Sequence, residues 1–430
     1  MKDNSSLNKY PSEWVRYKIE DLIYKFQNGY AFSSSGYLKK GKGIYAIVTI
    51  ASISIDGVFN LDYQKANKWK TEDSDKFKKY FLNNGDLIIA MTDVTPSMDL
   101  IGRGAIVKSN QPLLLNQRVG LLKVKKTIDP QFLAYFFNSN PWRKYSIISA
   151  SLGAQANIST MAILSGEVCI PVLNEQKKIV EIISSVDEHV QKLEMQISKL
   201  KLLKISLSNS LLFYGLEVNS FKNNQNSYLD ILEKDFNQKK EYKSIGSFAK
   251  SITRKNQNKL CKADVYSVTK YNGFVRSLDY FNKQIFSRDL STYKIVKSGE
   301  FAYSTIHLDE GSIGLLRNKE ALISPMYSVF KVDESVDINY LEHFLRSDIM
   351  VKQYGVIGQG SVNRRKSVSF SSLKNLKIRI PCIDEQKKIS DILTNIDKLI
   401  FSKNKKVTQS KLLKQTLLEN LLKGSLRVTL

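Results

Sequence analysis

Two long stretches of the chain carry apolar residues at alternating spacings of three and four. The first series consists of Ile183, Val186, Val190, Leu193, Ile197 and Leu200. The second consists of Leu393, Ile396, Ile400 and Val407, with the polar Lys403 and Ser410 at two further positions. Residues at these spacings form one stripe along a helix and are typical of a coiled-coil seam. The pattern predicts two long helices that pair through these side chains.

The two stretches are copies of each other. Residues 170–179 read IPVLNEQKKI and residues 380–389 read IPCIDEQKKI, and 16 of 45 positions are identical between 170–214 and 380–424. Asn174 and Asp384 are suited to cap the helix starts, and Gly215 and Gly424 are suited to stop the helices. A helix of about 39 residues rises ~58 Å. If the copies pair antiparallel, they hold the segments attached to them at opposite ends of a rod.

The segments before the helices also repeat, but more weakly. Residues 85–90 resemble 299–304, residues 128–136 resemble 336–344, and residues 153–158 resemble 360–365. Runs rich in β-branched and aromatic residues predict strands at 44–53, 119–124 and 327–332. The chain therefore divides into a mixed α and β globule (1–169), a helix (170–214), a polar linker (215–240), a second globule (241–379) and a second helix (380–426).

The charge favours a polyanionic partner. Lys and Arg number 65 against 41 Asp and Glu, a net charge of +24, and both globules carry part of the excess. Such an excess most often indicates nucleic acid, although a generally Lys-rich surface is the alternative. The chain has no apolar run near the ~20 residues of a membrane helix and no apolar signal-peptide core. Its three distant cysteines suit a reducing compartment, so we expect a cytoplasmic protein.

Motifs that resemble catalytic sites fail on inspection. Residues 36–43 lack the Ser or Thr that a phosphate-binding loop needs after its lysine. Asn140-Pro141-Trp142 lacks the second proline of an adenine-methyltransferase motif, and residues 355–360 have the wrong glycine spacing for a dinucleotide fingerprint. Three histidines do not easily form a multi-histidine metal site. The sequence predicts a binding architecture without catalysis, cofactor or metal of its own.

A family resemblance rests on these residues. Two globules, each followed by a helix that opens with I-P-x-x-x-E-Q-K-K-I, resemble the specificity subunit (HsdS) of type I restriction–modification systems. The resemblance covers nearly the whole chain, and the segment 28–35 and Trp14 are similar to the family's usual opening. It implies an α+β fold, with two mixed α/β target-recognition domains separated by two long antiparallel coiled-coil helices in a pseudo-twofold repeat.

The resemblance also implies a mechanism. The two domains would read the two halves of an interrupted double-stranded DNA sequence, and the helices would set the spacing and dock two methylation subunits (HsdM). Those subunits would bring S-adenosylmethionine and methylate adenine at N6. Restriction subunits (HsdR) would add ATP- and Mg-dependent translocation and cleavage. The chain itself would be a noncatalytic recognition subunit for phage defence.

Candidate DNA-binding residues follow from groove chemistry, because Arg, Lys, Asn and Gln read base edges while Lys, Ser and Thr hold phosphates. In the first domain the candidates are Lys39, Lys40, Lys42, Thr92, Gln155 and Asn157, with Asp93 and Thr95 next to Thr92. In the second they are Arg254, Lys255, Gln359, Asn363, Arg364 and Arg365. The alternative for each is a solvated loop residue.

Three other interpretations stay open at this stage. The chain could be a single-chain DNA-modifying enzyme with fused recognition domains, which would methylate DNA when purified alone. It could be a coiled-coil scaffold, which would show no salt-dependent binding to DNA. Within the resemblance, it could be the recognition subunit of a related phage-defence system.

Overall fold

A computed structural model describes residues 10–38, 44–70, 74–151, 155–216, 242–257, 261–358 and 367–428. The chain forms two compact units. Unit 1 comprises residues 1–192 and 406–430, and unit 2 comprises residues 193–405. Each unit therefore joins one globular domain to a part of each long helix. Among the described residues, no helix is both long and apolar enough to cross a membrane.

Domain 1, the globule of unit 1, mixes short strands and helices. Its strands are β1 (Val15–Lys18), β2 (Ile23–Asn28), β3 (Tyr45–Val48), β4 (Lys68–Trp69), β5 (Phe81–Leu82), β6 (Leu87–Ala90), β7 (Thr92–Asp93), β8 (Gly104–Ile106), β9 (Leu113–Leu115), β10 (Val119–Val124), β11 (Ala156–Asn157) and β12 (Glu167–Ile170). Its helices are α1 (Ile19–Leu22), α2 (Ser74–Phe77), α3 (Pro130–Phe137), α4 (Asn140–Ile148) and α5 (Thr160–Ser165), and the long helix α6 (Leu173–Tyr214) follows.

Domain 2, the globule of unit 2, is built in the same way. Its strands are β13 (Tyr242–Ser244), β14 (Ala249–Ile252), β15 (Tyr266–Thr269), β16 (Gly273–Arg276), β17 (Lys294–Lys297), β18 (Phe301–Ser304), β19 (Ile313–Leu315), β20 (Glu320–Ile323), β21 (Tyr327–Val332) and β22 (Lys377–Arg379). Its helices are α7 (Ser277–Phe281), α8 (Ile338–Leu345), α9 (Asp348–Ile357) and α10 (Phe370–Leu373), and the long helix α11 (Ile383–Leu421) follows.

The weak repeat between the globules is a repeat of sheet topology. The antiparallel sheet of domain 1 has the order β2-β10-β6-β8, and that of domain 2 has the equivalent order β14-β21-β18-β19. β6 and β18 both follow a glycine with positive φ, Gly85 at +90° and Gly299 at +82°. A left-handed backbone at this turn favours glycine over residues with a Cβ. The predicted glycine turn into a short strand is confirmed in both domains.

A strand pair closes each domain where its long helix begins. β1 pairs antiparallel with β12, with Val15 opposite Ile170, and β13 pairs antiparallel with β22, with Tyr242 opposite Arg379. The chain therefore leaves each paired strand and enters a long helix within a few residues. The globular domain and the long helix are thus directly connected in each unit.

The helix ends differ in one respect from the prediction. α6 begins at Leu173 and α11 at Ile383, so Asn174 and Asp384 lie inside the first turn and the predicted caps are wrong. The main-chain oxygen of Val172 instead accepts hydrogen bonds from the N–H groups of Glu175 and Gln176. Gly215 (φ +84°) directly follows α6, and Gly424 (φ +69°) ends the turn after α11. The predicted glycine stops are confirmed.

The two long helices run antiparallel within each unit. In unit 1, Lys414 Nζ lies 2.6 Å from Asp187 Oδ1. In unit 2, Lys204 Nζ lies 2.6 Å from Asp397 Oδ1, and Lys403 Nζ donates to Gln196 Oε1 at 2.7 Å. Asp187 and Asp397 are equivalent in the repeat, and so are Lys204 and Lys414. Each copy therefore supplies the acid of one ion pair and the base of the other, which explains why these charges are identical in both copies.

The seam residues point into the packed faces of the helices. At most 8% of the side chain is exposed for Ile183, Val190, Leu193, Ile197, Leu393 and Ile396. The remaining predicted members are partly buried: Val186, Leu200, Ile400 and Val407. Ile179, Ile183, Leu418 and Leu421 also belong to the same core as domain 1, because they pack in one cluster with residues such as Phe132 and Trp142. The helices thus complete the hydrophobic core of the domain.

A buried glutamine of each long helix forms hydrogen bonds with the adjacent domain; we call this contact the glutamine joint. Gln176 is fully buried; its Oε1 accepts from Asp129 N at 2.8 Å, and its Nε2 donates to the main-chain oxygens of Pro171 and Thr127 at 2.9 and 3.2 Å. Gln386 makes the same three contacts in unit 2, with Asp337 N and the oxygens of Pro381 and Ser335. The glutamine of E-Q-K-K-I therefore connects the helix to the start of the domain helix (α3 or α8).

A second contact between the domain and its long helix differs between the units. In unit 1 the Tyr135 hydroxyl of α3 contacts Ser184 Oγ and Asp187 Oδ2 of α6, at 3.0 and 3.1 Å. In unit 2 the equivalent residue of α8 is His343. Its Nε2 lies 3.1 Å from Thr394 Oγ1, and its Nδ1 lies 4.0 Å from Asp397. Burial, followed by the nearby charge of Lys204, lowers the pKa of His343 to about 4.

We expect this histidine to make unit 2 sensitive to acid. A folded-state pKa below the unfolded value of ~6.5 means that the unfolded chain binds the proton more readily. Stability is therefore present above pH 6.5 and is lost as the pH falls from there toward 4, by up to ~3 kcal/mol. Denaturation with urea across this window should show a weaker pH dependence for His343→Tyr, which installs the residue of unit 1. His307→Asn, at an exposed site, should leave the dependence unchanged; equal slopes for all three proteins would contradict the assignment.

Candidate nucleic-acid interface

A strand pair brings two of the predicted DNA-binding residues together. β7 pairs antiparallel with β11, and Thr92 lies opposite Asn157 although 65 positions separate them in the sequence. The backbone of Asn157 exchanges hydrogen bonds with Ser151, at 2.9 and 3.1 Å. Its exposed side-chain amide makes no hydrogen bond to the described residues, and Gln155 lies two positions before it. Such an amide can donate and accept together, as recognition of adenine requires.

The loop that follows β7 is ordered around a buried carboxylate. Asp93 is 1% exposed; its Oδ1 accepts from both N and Oγ1 of Thr95 at 2.8 Å, and its Oδ2 accepts from Leu100 N. Burial opposes its ionisation, but the hydrogen bonds outweigh burial and lower the pKa of Asp93. Asp93 is therefore an internal anchor, whereas Val94 and Thr95 lie on the exposed side of the loop.

Two arginines hold the same loop from its other end. Arg143 of α4 donates from Nη2 to the main-chain oxygen of Met98, and Arg103 donates from Nε to that of Asp99. Met98 has a positive φ of 50°, a conformation that costs free energy for a residue with a side chain. Burial, followed by the charge of Arg103, lowers the pKa of Arg143 to about 10. The loop 94–100 is thus a preformed surface next to Thr92 and Asn157.

Domain 1 also carries a cluster of aromatic rings with lysines above them. Tyr30 packs edge-on against Phe77 and Tyr80, with ring centroids 5.0 and 5.4 Å apart. Lys76 Nζ lies 6.0 Å from the Tyr30 ring, and Lys79 Nζ lies 5.1 Å from the Tyr80 ring. Exposed lysines on a rigid aromatic support are suited to contact phosphates. The predicted Lys39, Lys40 and Lys42 lie outside the described residues.

One main-chain contact beside the β7–β11 strand pair of domain 1 recurs in domain 2. Val368 N donates to Thr305 O at 2.8 Å, as Ile158 N donates to Met91 O at 2.9 Å in domain 1. Val368 therefore lies at the exit of β18 as Ile158 lies at the exit of β6. The predicted Gln359, Asn363, Arg364 and Arg365 precede Val368 in the sequence and lie outside the described residues.

The two other candidates in domain 2 have different environments. Arg254 donates from Nη2 to the buried Glu300 and from Nη1 to Ile295 O at 3.2 Å, so its guanidinium is used within the domain. Lys255 is exposed next to Lys294 and stays a predicted phosphate contact. In domain 1 the carboxylate equivalent to Glu300 is Asp86, which pairs with Lys123. An internal ion pair therefore accounts for Arg254.

Sequence reasoning missed the residues that shape the loops. Arg103 and Arg143 lie 10 and 50 positions after Asp93, and no spacing pattern links them to it. Asn140-Pro141-Trp142 forms the first turn of α4, where proline is well tolerated and Trp142 Nε1 donates to Gly102 O at 2.7 Å. The former methyltransferase-like fragment is thus a helix start that packs beneath the interface loop.

The geometry defines a class of protein. Each unit places a β-sheet domain on antiparallel helix segments, and domain 1 presents the exposed amide of Asn157 and the exposed lysines of its aromatic cluster. Among the described residues, no group of three or more His, Cys, Asp or Glu side chains could hold a metal ion. The chain is a two-domain DNA-recognition protein.

Comparison with known proteins identifies the family. The profile described as "Type I restriction modification DNA specificity domain" matches residues 11–202 and 233–410. The chain belongs to this family of noncatalytic specificity subunits, which recognise DNA and assemble with the other subunits of type I restriction–modification complexes.

Relatives and a solved structure agree with this assignment. A putative type I restriction enzyme MjaX specificity subunit from Methanocaldococcus jannaschii is 25% identical over 99% of this chain and 96% of its own. The MjaVIII specificity subunit of the same organism is 26% identical over 82% of this chain and 83% of its own. The S subunit from M. genitalium shares the fold with a TM-score of 0.56 and 13% identity, covering 96% of both chains. The expected fold is confirmed.

Proposed function

We propose that each unit reads one half of a bipartite DNA site. The observation that carries this proposal is the duplication of the whole unit: sheet order, closing strand pair, glutamine joint and helix ion pair all occur twice. Half-sites on one face of DNA lie about one turn, ~34 Å, apart. Helices of 42 and 39 residues rise ~63 and ~58 Å, which is long enough to set such a spacing.

The proposed DNA contacts include the amide of Asn157. We expect Asn157→Ala to weaken specific binding 10- to 100-fold, since a bidentate base contact contributes ~1–3 kcal/mol of discrimination. Non-specific binding and its salt dependence should not change, because those depend on phosphate contacts. Electrophoretic shifts with specific and scrambled duplexes over a range of salt measure both. Asn110→Ala, at another exposed loop position, is the control, and equal effects of the two variants would argue against base reading by Asn157.

The helices also supply a duplicated surface for protein partners. Leu202 and Leu203 are 68% and 47% exposed, and Leu412 and Leu413 at the equivalent positions are 65% and 52% exposed. Both pairs stand in an identical K-L-L-K sequence. Adjacent exposed leucines are typical of protein–protein interfaces. Because the surface occurs twice, it would dock two copies of one partner, the methylation subunit HsdM.

A stoichiometry measurement tests this docking. The double change Leu202→Glu and Leu203→Glu should reduce the complex from two methylation subunits to one, since a charge would be buried without a partner. Adding Leu412→Glu and Leu413→Glu should remove both. Native mass spectrometry of the purified complex counts the subunits. Met195→Glu, at an exposed site outside the K-L-L-K sequences, should keep both subunits; loss of both from the first double variant would refute two independent docking sites.

The partner subunits would supply the chemistry. We expect S-adenosylmethionine on the methylation subunits, which would methylate adenine at N6. We expect ATP and Mg on restriction subunits (HsdR), where these are present. The chain would contribute recognition and geometry alone.

A genome-wide map of adenine methylation, with and without this gene, tests the proposal. One interrupted motif should lose methylation when the gene is deleted. Complementation with variants in domain 1 should change only one half of that motif. A map that does not change, in a host that expresses the complex, would reject the role in methylation.

A further inference from the structure

Each unit has a cavity at the joint between its domain and the helices, and the two cavities are equivalent. Both are lined by the same repeat positions: Gln131, Tyr135, Ser184, Asp187, Glu188, Gln191 and Lys414 in unit 1, and Asn339, His343, Thr394, Asp397, Lys398, Phe401 and Lys204 in unit 2. The ends of β8 and β19 complete this shared wall. The cavities can therefore be compared position by position, in this wall and in the elements that cover it.

The cavities differ greatly in size. The cavity of unit 1 measures about 60 Å³, because the loop of residues 54–60 covers it and Gly57, Val58 and Phe59 form part of its wall. Asp56 of this loop lies 3.8 Å from Lys411 of α11. In unit 2 the cleft measures about 1240 Å³, and Lys201, which is equivalent to Lys411, is exposed. The space that the loop of residues 54–60 occupies in unit 1 is therefore open in unit 2.

The open cleft carries exposed aromatic side chains. Phe401 of α11 is 74% exposed where unit 1 has Gln191, and Tyr271 at the tip between β15 and β16 is 77% exposed. This tip is held in place: Arg346 Nη2 donates to the oxygens of Lys270 and Tyr271 at 3.1 and 2.7 Å. Large aromatic groups that stay exposed on an ordered wall are typical of binding sites for protein segments.

The charge of the cleft favours an acidic occupant. Lys398 stands where unit 1 has Glu188, and Lys270 lies 5.3 Å from the Tyr271 ring centroid. Neither lysine has a carboxylate partner among the described residues. Arg317 and Arg346 share the single carboxylate of Glu342, at 2.6 and 3.6 Å. The acids Asp348 and Asp391, also in the lining, leave the cleft with a small positive excess.

We propose that this cleft binds an acidic segment of a partner protein that carries a bulky apolar side chain. The segment would take the place that residues 56–59 take in unit 1, with its carboxylate near Lys201 and Lys398 and its apolar side chain against Phe401 and Tyr271. The cleft is larger than the ~300–1,000 Å³ of small-molecule pockets. A DNA duplex would match the lysines but offers no apolar side chain for the two aromatic rings. Within the part of the chain that the structure describes, this open cleft occurs in unit 2 and its equivalent in unit 1 is filled, unlike the duplicated leucine surface.

A photo-crosslinking peptide tests the proposal on the full-length chain. The probe is the sequence of residues 54–60, Ser-Ile-Asp-Gly-Val-Phe-Asn, with benzoylphenylalanine in place of its Phe. Mass spectrometry of the cross-linked chain should place the probe on residues 266–274 and 398–405. Phe401→Ala, Tyr271→Ala and Lys398→Glu should each lower the yield at least fivefold, and so should a probe with Lys in place of its Asp. Gln191→Ala and Glu188→Ala, at the equivalent sites of unit 1, should leave it unchanged.

Three outcomes would overturn the proposal: no cross-link in unit 2, cross-links that the cleft variants do not reduce, or cross-links that a DNA duplex displaces. The last outcome would assign the cleft to nucleic acid. DNA binding by the same variants is measured in parallel. It should stay at the wild-type level, which separates a failure of this site from a failure of DNA recognition. Three independent variants with unchanged melting temperatures separate a binding defect from misfolding.

Discussion

Replacing Gln176 with leucine is expected to lower the free energy of unfolding of unit 1 by about 3 kcal/mol. The side chain is fully buried and makes three hydrogen bonds to main-chain groups of Thr127, Asp129 and Pro171. Leucine is similar in size but makes none of these bonds. A buried donor or acceptor that loses its partner costs ~1–3 kcal/mol. The bond to Pro171 O is buried, whereas those to Asp129 N and Thr127 O are part-buried, so the bond to Pro171 O should contribute the largest share of the loss.

The positions of the tryptophans make a fluorescence measurement specific for the unfolding of unit 1. Trp14, Trp69 and Trp142 are the three tryptophans of the chain, and all belong to unit 1. Urea unfolding followed by tryptophan fluorescence should therefore respond to Gln176→Leu. Gln386→Leu should shift the transition seen by circular dichroism and leave the fluorescence transition in place. Gln191→Leu, at an exposed position of α6, should stay within ~0.5 kcal/mol of the wild type. If Gln176→Leu and Gln191→Leu behave alike, the glutamine joint does not stabilise the unit.

Replacing Asp93 with alanine is expected to abolish recognition of one DNA half-site. The carboxylate accepts three hydrogen bonds, from Thr95 N, Thr95 Oγ1 and Leu100 N, and they define the loop 94–100. Hydrogen bonds to a charged group contribute ~1.5–3 kcal/mol each. Without them the strained conformation at Met98 has no support, and the loop leaves its position next to Thr92 and Asn157. We expect specific affinity to fall at least 100-fold.

The expected loss is confined to one half of the site. Competition with duplexes in which one or the other half is scrambled measures it: Asp93→Ala should no longer distinguish the half read by unit 1, and should still distinguish the other. Asp62 is a matched control, because it accepts from Gln64 N and Lys65 N in an exposed turn. Asp62→Ala should bind as the wild type does. Retention of both half-site preferences by Asp93→Ala would show that the loop does not read DNA.

Several parts of the architecture could be predicted from the sequence because they depend on local patterns. Apolar spacings of three and four specify a helix whatever surrounds it, so Leu173–Tyr214 and Ile383–Leu421 lie where the seam predicts them. Gly85 and Gly299 mark turns that only their own backbone requires. The repeated E-Q-K-K-I sequence marked the starts of the two long helices, although the three hydrogen bonds that each glutamine makes to its domain were not predicted. The family followed from the same local signals.

The DNA-binding candidates show what local sequence patterns could not predict. Thr92 and Asn157 were predicted for their chemistry, and the strand pair that brings them together is a tertiary fact. Arg254 was predicted on the same grounds, yet it pairs with Glu300, which lies 46 positions later in the chain. A side chain's type states which bonds it can form, whereas the fold decides which partner is within reach. Arg103 and Arg143 were not predicted for the same reason, because their roles depend on burial beside the Met98 loop.

Composition and local patterns along the chain were enough to predict the helices, their duplication, the glycine turns and the excess of positive charge. Only the folded chain shows that each copy of the helix gives an acid to one ion pair and a base to the other, and that the equivalent cavities of the units differ in size. Helix and turn preferences come from interactions between neighbours in the chain. Ion pairs and clefts come from contacts between residues such as Asp187 and Lys414, or Asp56 and Lys411, that only folding brings within a few ångströms of each other.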